Sequence, residues 1–138
     1  MSTADTSEAA RILVVDDERS MCELVETTLG MRGFSVTWCQ SADAALAVLR
    51  EQNIDMVLTD VKMPGTSGIA LCGEINRTRP ELPVVVMTAF GSMETAVSAL
   101  RAGAYDFVTK PIELDLLVAT VHRAVDYSRL KNQVRVLL

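Results

Sequence analysis

The 138-residue sequence holds a single histidine and three cysteines, Cys22, Cys39 and Cys72, widely spaced and without a CxxC pair. That odd, scattered set argues against a disulfide framework and against a zinc site. Four prolines and seven glycines are too few for a collagen-like or proline-rich linker chain. The longest apolar runs are strand-sized, well short of the roughly 18–20 residues that span a bilayer, and Met1–Ala10 lacks the basic flank and apolar stretch of a signal peptide. We therefore read a soluble, cytoplasmic protein with no membrane contact and a flexible tail over residues 1–10. Nor is there a cluster of Lys and Arg: 18 acidic against 13 basic side chains leave a net charge of −5, which disfavours direct nucleic-acid binding.

What is present is a globular composition, 49% hydrophobic and 22% charged. A chain of this length buries roughly 68–70% of its unfolded surface, enough for one core. Short apolar runs at Ile12–Val15, Phe34–Trp38, Ile54–Leu58, Val84–Met87 and Asp106–Val108 read as strands. Helix-period stripes lie between them: Leu24, Val25, Thr28 and Leu29; Ala45, Leu46, Val48 and Leu49; Ile69, Leu71, Cys72 and Ile75; Met93, Ala96, Val97 and Leu100. Runs such as ILVV and PVVVM have no polar face, which suits a parallel sheet between two helix layers, and strict βα alternation says the same. Gly30 and Gly33 close the first helix, and Ser41 or Ser92 could cap later ones.

Residues Glu113 to Leu138 contain neither Gly nor Pro and read as one long final helix. Leu114, Leu117, Val118, Val121 and Val125 form a sheet-covering stripe; Tyr127, Leu130, Val134 and Leu137 then run at the 3-4-3 spacing of a coiled-coil seam. Three intervals leave two readings open, a pairing helix leading to a further domain or a frayed extension. We set the main domain at 11–126 and the helical linker at 127–138.

In such folds ligands bind beyond the carboxyl ends of the strands. There the sequence places Asp16 and Asp17 after ILVV, Asp60 after MVLT, Thr88 after VVVM and Lys110 after FVT. Singly, each has a plainer role as a helix cap, a turn residue or a surface charge; four polar strand ends together do not. Two carboxylates about 4 Å apart repel by roughly 4 kcal/mol at an effective dielectric near 20. A cation must offset this. Mg2+ fits best, because Ca2+ wants more protein oxygens and Zn2+ wants His or Cys. Beside such an ion Asp60 is the candidate nucleophile for a phosphoryl group, with Lys110 and Thr88 as donors to its oxygens.

With VVDDE at Val14–Glu18, TDVKMPGTSG at Thr59–Gly68, MTAFG at Met87–Gly91 and GAYDFVTKP at Gly103–Pro111, the sequence resembles the receiver domain of bacterial two-component response regulators (CheY-like) over about Arg11 to Val125. The resemblance implies a flavodoxin-like (βα)5 α/β fold with sheet order 2-1-3-4-5. It also implies that Asp60 takes a phosphoryl group from a phosphohistidine on a sensor histidine kinase. Asp17 and Asp60 would then ligate Mg2+ directly, Asp16 mainly through water, and Lys62 through its backbone carbonyl, while Met63, Pro64 and Gly68 shape the loop after Asp60. The Lys110-Pro111 bond would be cis. Thr88 and Phe107 would form the switch, reporting phosphorylation to the face built from the fourth helix, fifth strand and final helix. Such a domain is a phosphoacceptor that catalyses only its own phosphorylation and dephosphorylation, not an enzyme acting on other substrates.

The segment GSMETAVSALRAGAYDFVTKP most resembles receivers of the NtrC type, which are attached to AAA+ ATPase and DNA-binding domains that activate transcription through the alternative sigma factor. That subfamily implies a homodimer through the final helix or the switch face, and an excised fragment of a longer regulator. Lys62 and Phe90, two residues after Asp60 and Thr88, are expected to slow hydrolysis of the acyl phosphate. His122 reads as a solvated helix residue, and Trp38 and the seven Met residues as core and edge filling. The alternatives are a stand-alone receiver acting by protein binding, an aspartyl-phosphate phosphatase, and a flavin module. The phosphatase reading lacks a second Asp two residues after Asp60, and the flavin reading lacks a phosphate loop after the first strand.

Overall fold

The computed structural model describes residues 9–137, with side chains as far as Gln133. Strands and helices alternate: β1 (Arg11–Val15), α1 (Arg19–Gly30), β2 (Ser35–Cys39), α2 (Ala42–Glu51), β3 (Met56–Asp60), α3 (Gly68–Thr78), β4 (Val84–Ala89), α4 (Met93–Arg101), β5 (Asp106–Lys110) and α5 (Leu114–Leu137). The strands form one parallel sheet in the order β2-β1-β3-β4-β5. This is the flavodoxin-like architecture expected from the sequence.

Successive strand residues face opposite sides of the sheet, and both sides are covered. Ile12, Val14, Leu58, Val85 and Met87 pack with Val25 and Leu29 of α1 and Leu117 and Val121 of α5. Leu13, Val15, Val57, Val84 and Val86 pack with Ala45 and Leu49 of α2, Leu71 and Ile75 of α3 and Ala99 of α4. Two covered faces explain why the central strands are uniformly apolar. Each fully buried Leu or Ile in these layers contributes roughly 1.5–3 kcal/mol.

Register delivers the polar residues to one edge. Val15 pairs with Thr59 and Asp60 with Met87, so Asp16 and Asp60 leave the sheet side by side, with Thr88 next along; Ala89 pairs with Lys110. Ser41 Oγ accepts from the Ala44 N–H at 3.1 Å and Ser67 Oγ from the Ala70 N–H at 3.1 Å, fixing the starts of α2 and α3. Ser92 makes no such bond.

Several expectations need correction. The second strand runs one residue later than read, to Cys39, and the third two residues later, because its ladder continues through the polar Thr59 and Asp60 that hydropathy leaves out. Leu24 is exposed and Cys22 takes its place against the sheet. On α4 the inward pair is Ala96 and Ala99, while Met93, Val97 and Leu100 face outward, since only small side chains fit between this helix and the sheet. Leu114 is exposed and Ala124 is buried instead, and Met31 and Met93 are exposed rather than filling.

Of the expected tail, residues 1–8 lie outside the described residues, but Ala10 is buried and its carbonyl accepts from the Ser35 N–H at 2.9 Å, so ordered packing begins before residue 11. At the other end α5 continues unbroken past residue 126, and Ser128 is buried. Of the expected seam, Tyr127 and Leu130 are exposed, whereas the side chains of Val134 and Leu137 lie outside the described residues. Among the described residues no helix is long and apolar enough to cross a membrane. The three cysteines are free thiols.

Candidate functional site

Asp16, Asp17 and Asp60 each offer a carboxylate oxygen, and these atoms lie within 4.8 Å of one another. Asp16 is wholly buried: Oδ1 accepts from the Glu18 N–H at 2.9 Å and Oδ2 faces Lys110 Nζ at 3.4 Å. Behind it, the Asp16 N–H donates to the Cys39 carbonyl at 3.1 Å and the Cys22 thiol donates to the Asp16 carbonyl at 3.3 Å. Asp17 is exposed, and its carbonyl accepts from Gln40 Nε2 at 3.0 Å. Asp60 ends β3, nearly buried, with Oδ1 3.3 Å from Lys110 Nζ.

Two of the three carboxylates, Asp16 and Asp60, therefore share one ammonium. Burial, reinforced by the charge of Asp60, raises the Asp16 carboxyl above the ordinary range; the Glu18 N–H and Lys110 offset only part of this. Burial alone would lower Lys110, but the Asp16 and Asp60 carboxylates outweigh it and hold the ammonium above the usual lysine range. The remaining negative charge, an all-oxygen donor set and one exposed carboxylate open to solvent fit a hard divalent cation such as Mg2+.

The carboxylates open into a cleft of about 370 Å³ lined by Asp17, Asp60, Lys62, Thr88, Thr95 and Lys110 among others. Thr88 is buried, and its hydroxyl is the one buried side-chain polar atom without a hydrogen-bond partner among the described residues. An unsatisfied buried hydroxyl costs about 1–3 kcal/mol, so this donor awaits an acceptor. An anionic oxygen on Asp60 would lie in the same cleft.

The loop after β3 is held by backbone. The Gly68 N–H donates to the Val61 carbonyl at 2.8 Å, and a Cβ on Gly68 would collide with the Asp60 carbonyl oxygen. The Lys110-Pro111 bond is cis. Lys62 lies exposed on the rim of the cleft. Phe107 stands apart from the acidic cluster, half-buried on the α2, α3 and α4 side of the sheet. Phe90 does not line the acidic cleft; its exposed ring borders a separate hollow with Val108, Pro111 and Leu116. That placement removes the reason for expecting it to shield an acyl phosphate.

The response regulator receiver domain family model matches residues 12–122. The chain belongs to this family. The receiver is 44% identical over 118 residues to the transcriptional regulatory protein ZraR of Salmonella typhimurium, covering 86% of this chain and 27% of that protein. To the DNA-binding transcriptional regulator NtrC of the same organism it is 37% identical over 124 residues, covering 90% and 26%. The crystal structure of the receiver domain of NtrX from Brucella abortus superposes with a TM-score of 0.80 at 42% identity, covering 83% of this chain and 98% of that one. The receiver is thus of the NtrC type, and it spans about a quarter of the length of the curated relatives it matches.

Two contributors to this receiver's site escaped the sequence. Gln40, which ties the loop after β2 to Asp17, carries no signal at all. Ser67 could have been found, as a serine directly before the apolar stripe of α3.

Proposed function

We propose that Asp60 of this receiver accepts a phosphoryl group from a phosphohistidine on a sensor histidine kinase. The observation that carries the reading is the Asp60 carboxylate itself, 3.3 Å from Lys110 and in one cleft with a buried threonine hydroxyl that has no partner. An Asp60 carboxylate oxygen attacks phosphorus, the phosphorus–nitrogen bond to imidazole breaks, and the imidazole leaves and regains its proton. Lys110 and Thr88 supply donors to the phosphoryl oxygens, replacing contacts that water would otherwise make. Asp17, Asp60 and the Lys62 backbone carbonyl would hold Mg2+, with Asp16 behind them. When bound, the ion neutralises charge on the carboxylates and on the transferring group.

Adding close to two negative charges draws Thr88 and Lys110 inward. Space vacated by Thr88 lets the Phe107 ring turn, and the face of α4, β5 and α5 changes. That face carries the outward stripe of Met93, Val97 and Leu100, which supports its use as a dimer contact. The long α5 would carry the signal to AAA+ and DNA-binding domains, in keeping with the much longer relatives, so that this cytoplasmic regulator governs transcription through the alternative sigma factor. The domain acts on itself and not as an enzyme on other substrates.

Intact-mass measurement after incubation with acetyl phosphate and Mg2+ tests this. The wild type should gain one phosphoryl mass and Asp60→Asn none. A gain that persists in Asp60→Asn, or none in the wild type with or without Mg2+, overturns the reading.

A further inference from the structure

The two residues that precede Phe107 both reach α5. Asp106 takes the Phe107 N–H on Oδ1 at 2.8 Å and Arg123 Nη2 on Oδ2 at 3.1 Å, so one carboxylate bridges the main chain of the switch residue and the last helix. Tyr105, whose own N–H is fixed to the Val84 carbonyl at 2.8 Å, sets its ring 5.1 Å from that of Tyr127 at an interplanar angle of 45°. Arg123 and Tyr127 are four residues apart and so share one face of α5. Lys131 Nζ, one turn further on, lies 5.6 Å from the centre of the Tyr127 ring.

We propose that Tyr105 and Asp106 form a clasp on Tyr127 and Arg123 that conveys the state of Phe107 along α5 into its extension beyond residue 126, making these four side chains positioning residues for the output of the domain. The inference rests on the reading of Phe107 as the phosphorylation switch. Where the turn of the Phe107 ring displaces its main chain, the carboxylate that accepts its N–H moves with it, and that carboxylate is paired to α5. The ring contact one residue earlier adds a second tie four residues along the same helix, so a shift of β5 acts on α5 at two points and sets its direction.

The test compares the wild type with the double variant Arg123→Gln/Tyr127→Ala and with Tyr127→Phe, which keeps the ring. Both positions are substantially exposed, so the fold should persist. Phosphorylation of Asp60 is followed by intact mass, and hydrogen exchange is followed in the peptide covering residues 127–133. In the wild type and in Tyr127→Phe, phosphorylation should change the exchange rate of that peptide by about fivefold or more. In the double variant, phosphorylated to the same extent, the ratio should fall to within about twofold of unity. An undiminished ratio in the double variant overturns the clasp.

A second arm needs no phosphorylation, because coupling is reciprocal. With fluorinated phenylalanine the chain gives three signals, from Phe34, Phe90 and Phe107, the last identified by its loss in Phe107→Leu. The double variant should shift the Phe107 signal of the resting protein and leave that of Phe90 in place. An unmoved Phe107 signal refutes the clasp even where the wild type takes up no phosphoryl group, a failure that belongs to the phosphoacceptor reading.

Discussion

Gly68 occupies a position where any side chain would strike the main-chain oxygen of Asp60. The obstacle is backbone and cannot swing aside. Gly68→Ala must therefore push the loop after β3 away from the acidic cluster or strain β3. A destabilisation of about 1–3 kcal/mol is expected in urea titration, with slower phosphorylation of Asp60 from acetyl phosphate. A variant as stable and as reactive as the wild type would show that the loop gives way freely.

The unpartnered hydroxyl of Thr88 predicts opposite effects on stability and function. Thr88→Val keeps the shape and removes the buried, unsatisfied O–H. The resting domain should gain about 1 kcal/mol in denaturant titration. Phosphorylation should slow roughly tenfold or more, since a donor to the phosphoryl oxygens is gone. A variant less stable than the wild type would indicate that the hydroxyl has a partner in solution.

The strand ends of this receiver were legible because apolar runs give way to polar or charged residues at the carboxyl edge of the sheet, at Asp16, Asp60, Thr88 and Lys110 on four strands. Helix faces were less legible. In α1 both Leu24 and Cys22 fit an apolar stripe with Val25 and Leu29, and only the close fit of the thiol beneath Asp16 selects Cys22. In α4 hydropathy favours Met93, Val97 and Leu100, yet the narrow space over β4 and β5 admits Ala96 and Ala99. The separation of 23 positions between Asp17 and Gln40 hides their contact entirely, because it depends on how two loops approach in space.

Burial pushes the Cys72 thiol up to about 11 from an ordinary 9.0. At pH 8 about one thiol in a thousand is then thiolate, against roughly one in ten for an exposed cysteine, and Cys72 should resist alkylation in the native protein. Between pH 9 and 11 the folded state holds this proton more tightly than the unfolded chain, so stability falls as pH rises through that window. The loss attributable to Cys72 should be on the order of 2 kcal/mol. Cys72→Ala, whatever its constant packing cost, should show a shallower decline over the same range. Parallel curves for the two proteins would count against a shifted thiol.

Phe90 and Lys62 occupy matching places two residues after Thr88 and Asp60, but only Lys62 borders the acidic cleft. Phe90 instead leaves its ring in the hollow with Pro111 and Leu116. Once Asp60 is phosphorylated, Phe90→Ala should leave the acyl-phosphate lifetime within about twofold of the wild type, as expected of a surface change away from the reacting atoms. Lys62→Ala should shorten it by about threefold, the scale of an exposed charge contributing under 1 kcal/mol, because the mouth of the cleft loses a long cationic chain that hinders water. Decay of the phosphorylated mass after removal of acetyl phosphate measures both. A lifetime that collapses in Phe90→Ala would mean that the ring swings over the cleft in the phosphorylated state.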